Sequence, residues 1–333
     1  MSDIGTEPGH PTLETVAAVA GVSRATVSRV INNLPRVSPA ARALVEDAIA
    51  RTGYVPNRAA RSLVTRRTDS IALVIPESDA RFFSDPYLIG IMRAVCDELA
   101  TTDLQLVLTL ARSPERLARL VSYLRGGHVD GALVVSAHGE DVLEETGVTT
   151  VLGGRPLRPD SKTVYVDSDN VAGAKAAVTH LLDRGRQQVA TIAGPADMCA
   201  GIDRLEGYRQ ALPTGHSPLV AHGDFSRVSG ERAMLRLLAQ IPDLDGVFAA
   251  SDMMAEGALA ALRSAGRRVP EDVAVVGFDD IEGAQYTDPP LTTVRQPVEK
   301  QGRMMAQMLL RRIDGEPVQS TTLPTQLVVR QSS

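Results

Sequence analysis

The 333-residue chain has no tryptophan, only 3% aromatic residues, and two cysteines, Cys96 and Cys199. Two thiols cannot staple a chain of this length, so a reducing compartment is the expected setting. A ligand that needs ring stacking has only Tyr and Phe to use. No window approaches the ~18 consecutive apolar residues of a membrane span. The stretch 1–11 is polar and holds no Lys or Arg, so no signal peptide is expected either. Together these absences predict a cytoplasmic protein that makes no membrane contact. Lysine is also scarce, with Lys162, Lys175 and Lys300 among 35 basic residues, which reads as codon bias. Enzyme signatures are missing. No two glycines stand at i and i+2, which excludes a GxGxxG dinucleotide loop, and neither GxSxG nor a phosphate-binding P-loop occurs. His128 and His180 lack companions at ligand spacing, and His138-Gly139-Glu140-Asp141 reads better as the cap of a following helix than as an acid/base cluster. No reaction, metal or cofactor is expected.

What is present is globular: 44% apolar and 23% charged residues, in a length that suits two domains or three. The net charge of −5 is unevenly divided. Residues 1–68 carry nine Arg against five acids, a local +4 that leaves −9 for the remainder. A small basic head on an acidic body is the footprint of a phosphate-backbone binder, although Arg-rich helices also arise by chance.

Within that head, Thr12 is placed to cap a helix over 13–20 with Leu13, Val16, Ala17 and Ala20 on one face. Gly21 ends it, and Ser23 caps a second helix over 24–31 whose Val27, Val30 and Ile31 face inward. Two short helices joined by a Gly-containing turn make a helix-turn-helix unit, whose second helix enters the major groove. Ser38-Pro39 opens a third helix to Arg51, with Leu44, Val45, Ala48 and Ile49 closing a small core and Gly53 beyond its end. A generic three-helix bundle would read the same way from spacing alone. After Tyr54-Val55-Pro56, Asn57 can cap one or two further turns. A helix that short is marginal in water and needs a partner, so the alternative is a plain linker.

From Ser70 onward, apolar runs alternate with helical patterns. Strands are predicted at 71–75, 104–108, 131–135, 164–166, 189–193, 246–250 and 273–277. Helices are predicted at 88–101, 115–125, 171–184, 203–212, 229–240 and 254–265. Near-continuous Val/Ile/Ala strands between helices mean parallel sheets covered on both faces. About ten strands over this length imply two α/β subdomains, with ligand at the carboxyl ends of the strands in the cleft between them.

The runs Thr12-Leu13-Glu14-Thr15-Val16-Ala17, Gly21-Val22-Ser23, Thr26-Val27-Ser28-Arg29-Val30-Ile31-Asn32 and Tyr54-Val55-Pro56-Asn57-Arg58-Ala59-Ala60, with Leu63, resemble the DNA-binding head and hinge helix of LacI-family transcriptional repressors. The resemblance implies an all-α helix-turn-helix head with a hinge helix, followed by a body like that of periplasmic sugar-binding proteins. It implies an arm at 1–11 (disordered), the head at 12–55, the hinge at 56–68 and an effector-binding and dimerisation domain at 69–333. Within that domain it implies an N-subdomain of about 69–167 plus 295–323 and a C-subdomain of about 168–294 plus 324–333.

By the same resemblance, Arg24, Ala25 and Arg29 read bases. An Arg fork on guanine discriminates by ~1–3 kcal/mol. Ala25 departs from the longer side chain of many relatives and could touch only a thymine methyl, which shifts specificity to the two arginines. Ser23, Thr26, Ser28, Asn32 and Asn57 suit phosphate contacts, Thr12, Arg58 and Ala60 are further DNA-binding positions, and Leu63 falls at the hinge leucine that wedges into the minor groove. Arg204 and Asp279 match the family's effector-binding arginine and aspartate, and Ser251, Asp252 and Gln296 line the equivalent cleft. Phe82, Phe83, Tyr87 and Phe225 would offer an apolar sugar face, and Arg155 a further contact. The competing reading of Arg204 is a surface ion pair with Asp203 or Glu206.

The implied partners are a double-stranded, pseudo-palindromic DNA operator, a small saccharide effector and a second copy of the chain. A homodimer is preferred to a tetramer because no heptad tail follows Val329. The overall pattern resembles actinobacterial repressors of oligosaccharide use, which makes cellobiose or another glucoside the expected ligand. A cytosolic sugar-binding protein without regulatory DNA binding, and a corepressor-dependent regulator of the same family, remain as alternatives.

Overall fold

The computed structural model describes residues 11–32, 34–55, 67–139 and 146–333. The chain divides into two units, Met1–Thr68 and Asp69–Ser333.

In the first unit each helix begins where a side chain can satisfy the free amides of its first turn. Thr12 caps α1 (Leu13–Ala20) and exchanges bonds with Thr15 in a reciprocal capping box, and Gly21 ends the helix at φ +64°, where a Cβ would be strained. Ser23 caps α2 (Arg24–Ile31), and Ser38 caps α3 (Pro39–Thr52), which has Pro39 at its first position. Val16, Ala17, Ala20, Val27, Val30, Val45, Ala48 and Tyr54 form the core. Leu44 departs from expectation. It is exposed, because α3 turns Val45 and Ala48 inward and leaves Leu44 on the flank. The expected arm over 1–10 and the hinge helix of 56–66, with Asn57, Arg58, Ala60 and Leu63, lie outside the described residues.

The second unit contains two six-stranded sheets. The first runs β11 (Thr321–Leu323), β5 (Val164–Ser168), β4 (Thr149–Gly153), β3 (Gly131–Val135), β1 (Ser70–Ile75), β2 (Gln105–Leu110), and every pairing is parallel. The second runs β12 (Gln326–Val328), β10 (Thr292–Arg295), β9 (Ala274–Asp279), β8 (Gly246–Ala249), β6 (Val189–Ala193), β7 (Leu219–His222), with only β12 antiparallel. Ile71, Leu73 and Ile75 point to one side of the first sheet while Ala72 and Val74 point to the other, and both sides are buried under helices. That is why the strands read as unbroken apolar runs.

Helices α4 (Asp79–Ser84), α5 (Pro86–Leu99), α6 (Pro114–Arg125) and α11 (Val298–Ile313) accompany the first sheet. Helices α7 (Asn170–Asp183), α8 (Cys199–Ala211), α9 (Arg227–Gln240) and α10 (Asp252–Ser264) accompany the second. The chain passes between sheets after β5, returns between β10 and α11, and crosses again between β11 and β12. Elements absent from the sequence reading are mostly short or late: α4, β4, β7, β10, β11, β12 and α11. Helix α11 buries Gln301, Gly302, Met305, Ala306, Met308 and Leu309 against the first lobe, a face interrupted by charged and polar neighbours. Both cysteines are free.

Candidate DNA and effector sites

On α2, Arg24, Ala25 and Arg29 are exposed, as are Thr12 and Ser23 before them, while Thr26 and Ser28 are half-buried. The Ser23 and Thr26 hydroxyls lie 2.9 Å apart, and the Ser23 Oγ accepts from the Thr26 amide at 3.1 Å. Asn32 is turned back on its own helix, with Nδ2 donating to the Ser28 carbonyl at 2.8 Å. Arg24 Nε lies 3.1 Å from Glu14 Oε1, with side chains 69% and 61% exposed. So open a pair adds little and yields readily to a phosphate or a base edge.

In the second unit, the loops at the carboxyl ends of both sheets surround a cleft. Arg204 reaches it from α8 and is itself only 5% exposed. Its Nε donates to Asn170 Oδ1 at 2.9 Å, and its Nη1 donates to the Ala250 carbonyl at 2.6 Å and to Asp279 Oδ1 at 3.2 Å. The guanidinium lies 3.8 Å from the centroid of the Phe278 ring. It is therefore a fixed, buried donor and not the surface ion pair with Asp203 or Glu206. Gln296 Nε2 donates to the same Asp279 oxygen at 2.7 Å. Asp279 sits at φ +125° at the end of β9. Burial, opposed by Arg204, raises its carboxyl to about 6. Asp280, its neighbour, points away to Arg295 and Arg330, each at 2.6 Å.

Arg155 enters from the turn after β4. Its fork meets Asp203 of α8 through Nε–Oδ2 at 2.7 Å and Nη2–Oδ1 at 2.5 Å, which ties the two lobes together. Tyr87 lines the cleft near its floor, donating to Gln301 Oε1 at 3.3 Å, and burial raises its phenol.

Three expected residues do not reach the cleft. Phe83 is 72% exposed, because α4 turns Phe82 inward, into the core of the first lobe, and leaves its neighbour outside. Asp252 is fully buried behind the wall, where its Oδ1 accepts from Thr293 Oγ1 at 2.5 Å and its Oδ2 from the Ile281 amide at 2.9 Å. Burial first, then the charge of Asp279, pushes its carboxyl well up. It braces the loop that carries Asp279, and Ser251 takes the lining position instead.

Arg81, Asp85, Ser136, Asp167 and Asn170 also line the cleft and had not been nominated. Ser136 and Asp167 stand at or just beyond the carboxyl ends of β3 and β5, so the rule that ligands bind at the carboxyl ends of parallel strands could have found them. Arg81 lies on α4 and Asp85 ends it, and the sequence pattern did not resolve that helix. The His138 ring lies between two carboxylates. Its Nδ1 lies 3.0 Å from Asp197 Oδ2, in the loop after β6, and its Nε2 lies 3.1 Å from Glu77 Oε1. The hydrogen bond to Glu77, followed by that to Asp197, raises the imidazole above its ordinary value. Residues 140–145, where a helix after it was expected, are outside the described set. Among the described residues, no group of three or more His, Cys, Asp or Glu could hold a metal ion, and no helix is long and apolar enough to cross a membrane.

A helix-turn-helix head joined in one chain to a two-lobed body with a polar interlobe cleft defines a ligand-responsive DNA-binding regulator. Residues 12–57 match the model of the lacI family of bacterial regulatory proteins, and residues 178–333 match a periplasmic binding protein-like domain. The chain is 51% identical to the HTH-type transcriptional regulator CelR of Thermobifida fusca, over 97% of this chain and 98% of that one. A solved transcriptional regulator CelR–cellobiose complex is similar with a TM-score of 0.77 and 49% identity, covering 97% of this chain and 100% of the other. The Lac repressor dimer bound to operator and the anti-inducer ONPF gives a TM-score of 0.85 at 29% identity, covering 97% and 98%. The chain belongs to the LacI family of transcription regulators.

Proposed function

We propose that this protein is a cytoplasmic, homodimeric repressor of sugar-utilisation genes that binds a pseudo-palindromic operator and is released by a small saccharide, cellobiose or another glucoside. The observation that carries the ligand class is the Arg204–Asp279–Gln296–Asn170 cluster inside the cleft. A sugar hydroxyl is donor and acceptor at once, and this cluster offers fixed groups of both kinds. The identity of the sugar draws on the cellobiose complex of the similar regulator.

The domains assigned to these roles are the head at 12–55, the hinge at 56–68 and the effector body at 69–333. DNA contacts are assigned to Thr12, Ser23, Arg24, Ala25, Thr26, Ser28, Arg29 and Asn32, with Asn57, Arg58, Ala60 and Leu63 of the hinge. Effector contacts are assigned to Tyr87, Arg155, Arg204, Asp279 and Gln296. Phe82, Phe83 and Asp252 are not retained. Sugar closing the two lobes about the cleft changes how the paired bodies present their heads, so sugar and operator oppose each other through one coupling free energy, typically ~1–3 kcal/mol.

Fluorescence anisotropy of the protein on DNA upstream of its own gene, at fixed salt and with a panel of oligosaccharides, tests this reading. Saturable binding to one palindrome, released by one glucoside, is expected. Binding strengthened by the sugar would reverse the switch. Failure to select any sequence from random DNA would contradict the reading as a repressor.

A further inference from the structure

Each guanidinium that lines the cleft is already matched by a carboxylate. Arg81 meets Asp85 at 3.1 Å, Arg155 holds Asp203 through the fork described above, and Arg204 meets Asp279 at 3.2 Å. A fourth carboxylate, Asp167 at the end of β5, is in no ion pair among the described residues, and feels Arg204 only at longer range. It is 6% exposed and lines the cavity. Its donors are all neutral: the amides of Arg155 at 3.0 Å and Ser168 at 2.8 Å, and Asn170 Nδ2 at 3.1 Å. A carboxylate has roughly four acceptor directions, so one remains beside the cavity. At the mouth, His138 lies between two acids, Glu77 and Asp197, so even when protonated it does not offset the surplus.

We propose that Asp167 reads a ligand hydroxyl and makes the cleft select an uncharged saccharide while rejecting its acidic and phosphorylated counterparts. This rests on the saccharide reading above. A hydroxyl donates to the open acceptor of Asp167 and restores part of the hydration it gave up. Burial pushes its carboxyl up, as expected of an acceptor short of donors. A carboxylate or phosphate in the same place meets no uncommitted guanidinium and faces Asp167 across a low-dielectric space. Specificity of this kind comes from a repulsive element as much as from an attractive one.

Calorimetric titration of the full-length protein with matched pairs tests it. The pairs are cellobiose against cellobionate and cellobiouronate, and glucose against gluconate and glucose 6-phosphate. A neutral member is expected to bind, with its acids weaker by on the order of a hundredfold. Asp167→Asn is expected to narrow that ratio to about tenfold while also weakening the neutral sugar. Asp167→Ser serves if the Asn variant does not fold, and the wild-type ratio stands without either. An acid or phosphate that binds wild-type protein within about threefold of its neutral partner overturns the proposal and leaves the saccharide reading intact. An unchanged ratio in the folded variants overturns the role of Asp167. Failure of every saccharide, neutral and acidic alike, overturns the saccharide reading and this inference with it.

Discussion

The head and the body recognise by opposite strategies. On α2 of the head, Arg24, Ala25 and Arg29 stand in solvent, and the Arg24–Glu14 ion pair is loose enough to be exchanged. In the body the equivalent groups are buried and already bonded to one another, as Arg204 is to Asn170, Ala250 and Asp279. An exposed reader costs the fold little and can be varied freely, which suits a surface that must match different DNA sequences. A buried reader is preorganised, so less ordering is left for the ligand to impose, but its loss leaves partners without compensation.

Four variants or conditions would sharpen or break this contrast. Arg204→Ala should have the largest effect. It strands Asp279 in a buried site, should cost ~3–5 kcal/mol of body stability by thermal melting, and should abolish saccharide binding. If the body lost neither, the preorganised cleft would be a misreading. Val27→Ala comes next, at about 1–3 kcal/mol, because the head has only a small core to absorb the cavity. Operator binding should fall while saccharide binding in the same sample holds. Arg24→Ala and Arg29→Ala should each cost ~1–3 kcal/mol of operator affinity, with relaxed preference at one base position and an unchanged melting temperature. Equal loss on every DNA sequence would make them backbone contacts instead.

The smallest expected effects are in pH. Asp279 is raised to about 6 from an ordinary 3.8, so the folded body holds its proton more tightly than the unfolded chain. Its contribution to body stability therefore falls as pH rises from about 4 to about 6. Ligand affinity moves the other way, because sugar hydroxyls and Arg204 both prefer the ionised form. Saccharide binding should be about tenfold weaker at pH 5 than at pH 7, and Asp279→Asn should remove that step. His138 is raised above 6.5, so its interlobe contact is complete below that value and is lost as pH climbs through the higher folded one. Sugar release measured by stopped flow should quicken by a factor of about three over that rise, and His138→Gln should flatten the profile.

The same contrast explains what could be read from the sequence. Head elements announced themselves because caps are local: Thr12, Ser23 and Ser38 each act within three residues of their own position, and Gly21 and Gly53 end helices at φ +64°. Parallel strands were legible for a similar reason, being short apolar runs buried on both faces. Cleft residues were legible only in part. Arg204, Asp279 and Gln296 came from a family pattern, while the Arg155–Asp203 fork joins residues 48 positions apart on different lobes, which no spacing rule encodes. Phe83 misled because one step along a helix turns a side chain by about 100°, and it is Phe82 that turns inward. Asp252 misled because it is the first helical residue of α10 and is buried behind the wall, while the extended cap Ser251 before it lines the cleft. Leu44 and Val45 repeat the lesson of Phe83 in α3.

The most direct test of a linked switch is reciprocity. Operator affinity would be measured with and without saturating cellobiose, and cellobiose affinity with and without saturating operator, on one preparation at one salt concentration. The two ratios should be equal, with each ligand weakening the other by roughly 5- to 150-fold. Ratios of one in both directions, with both ligands still binding, would mean that head and body work independently and would contradict the switch.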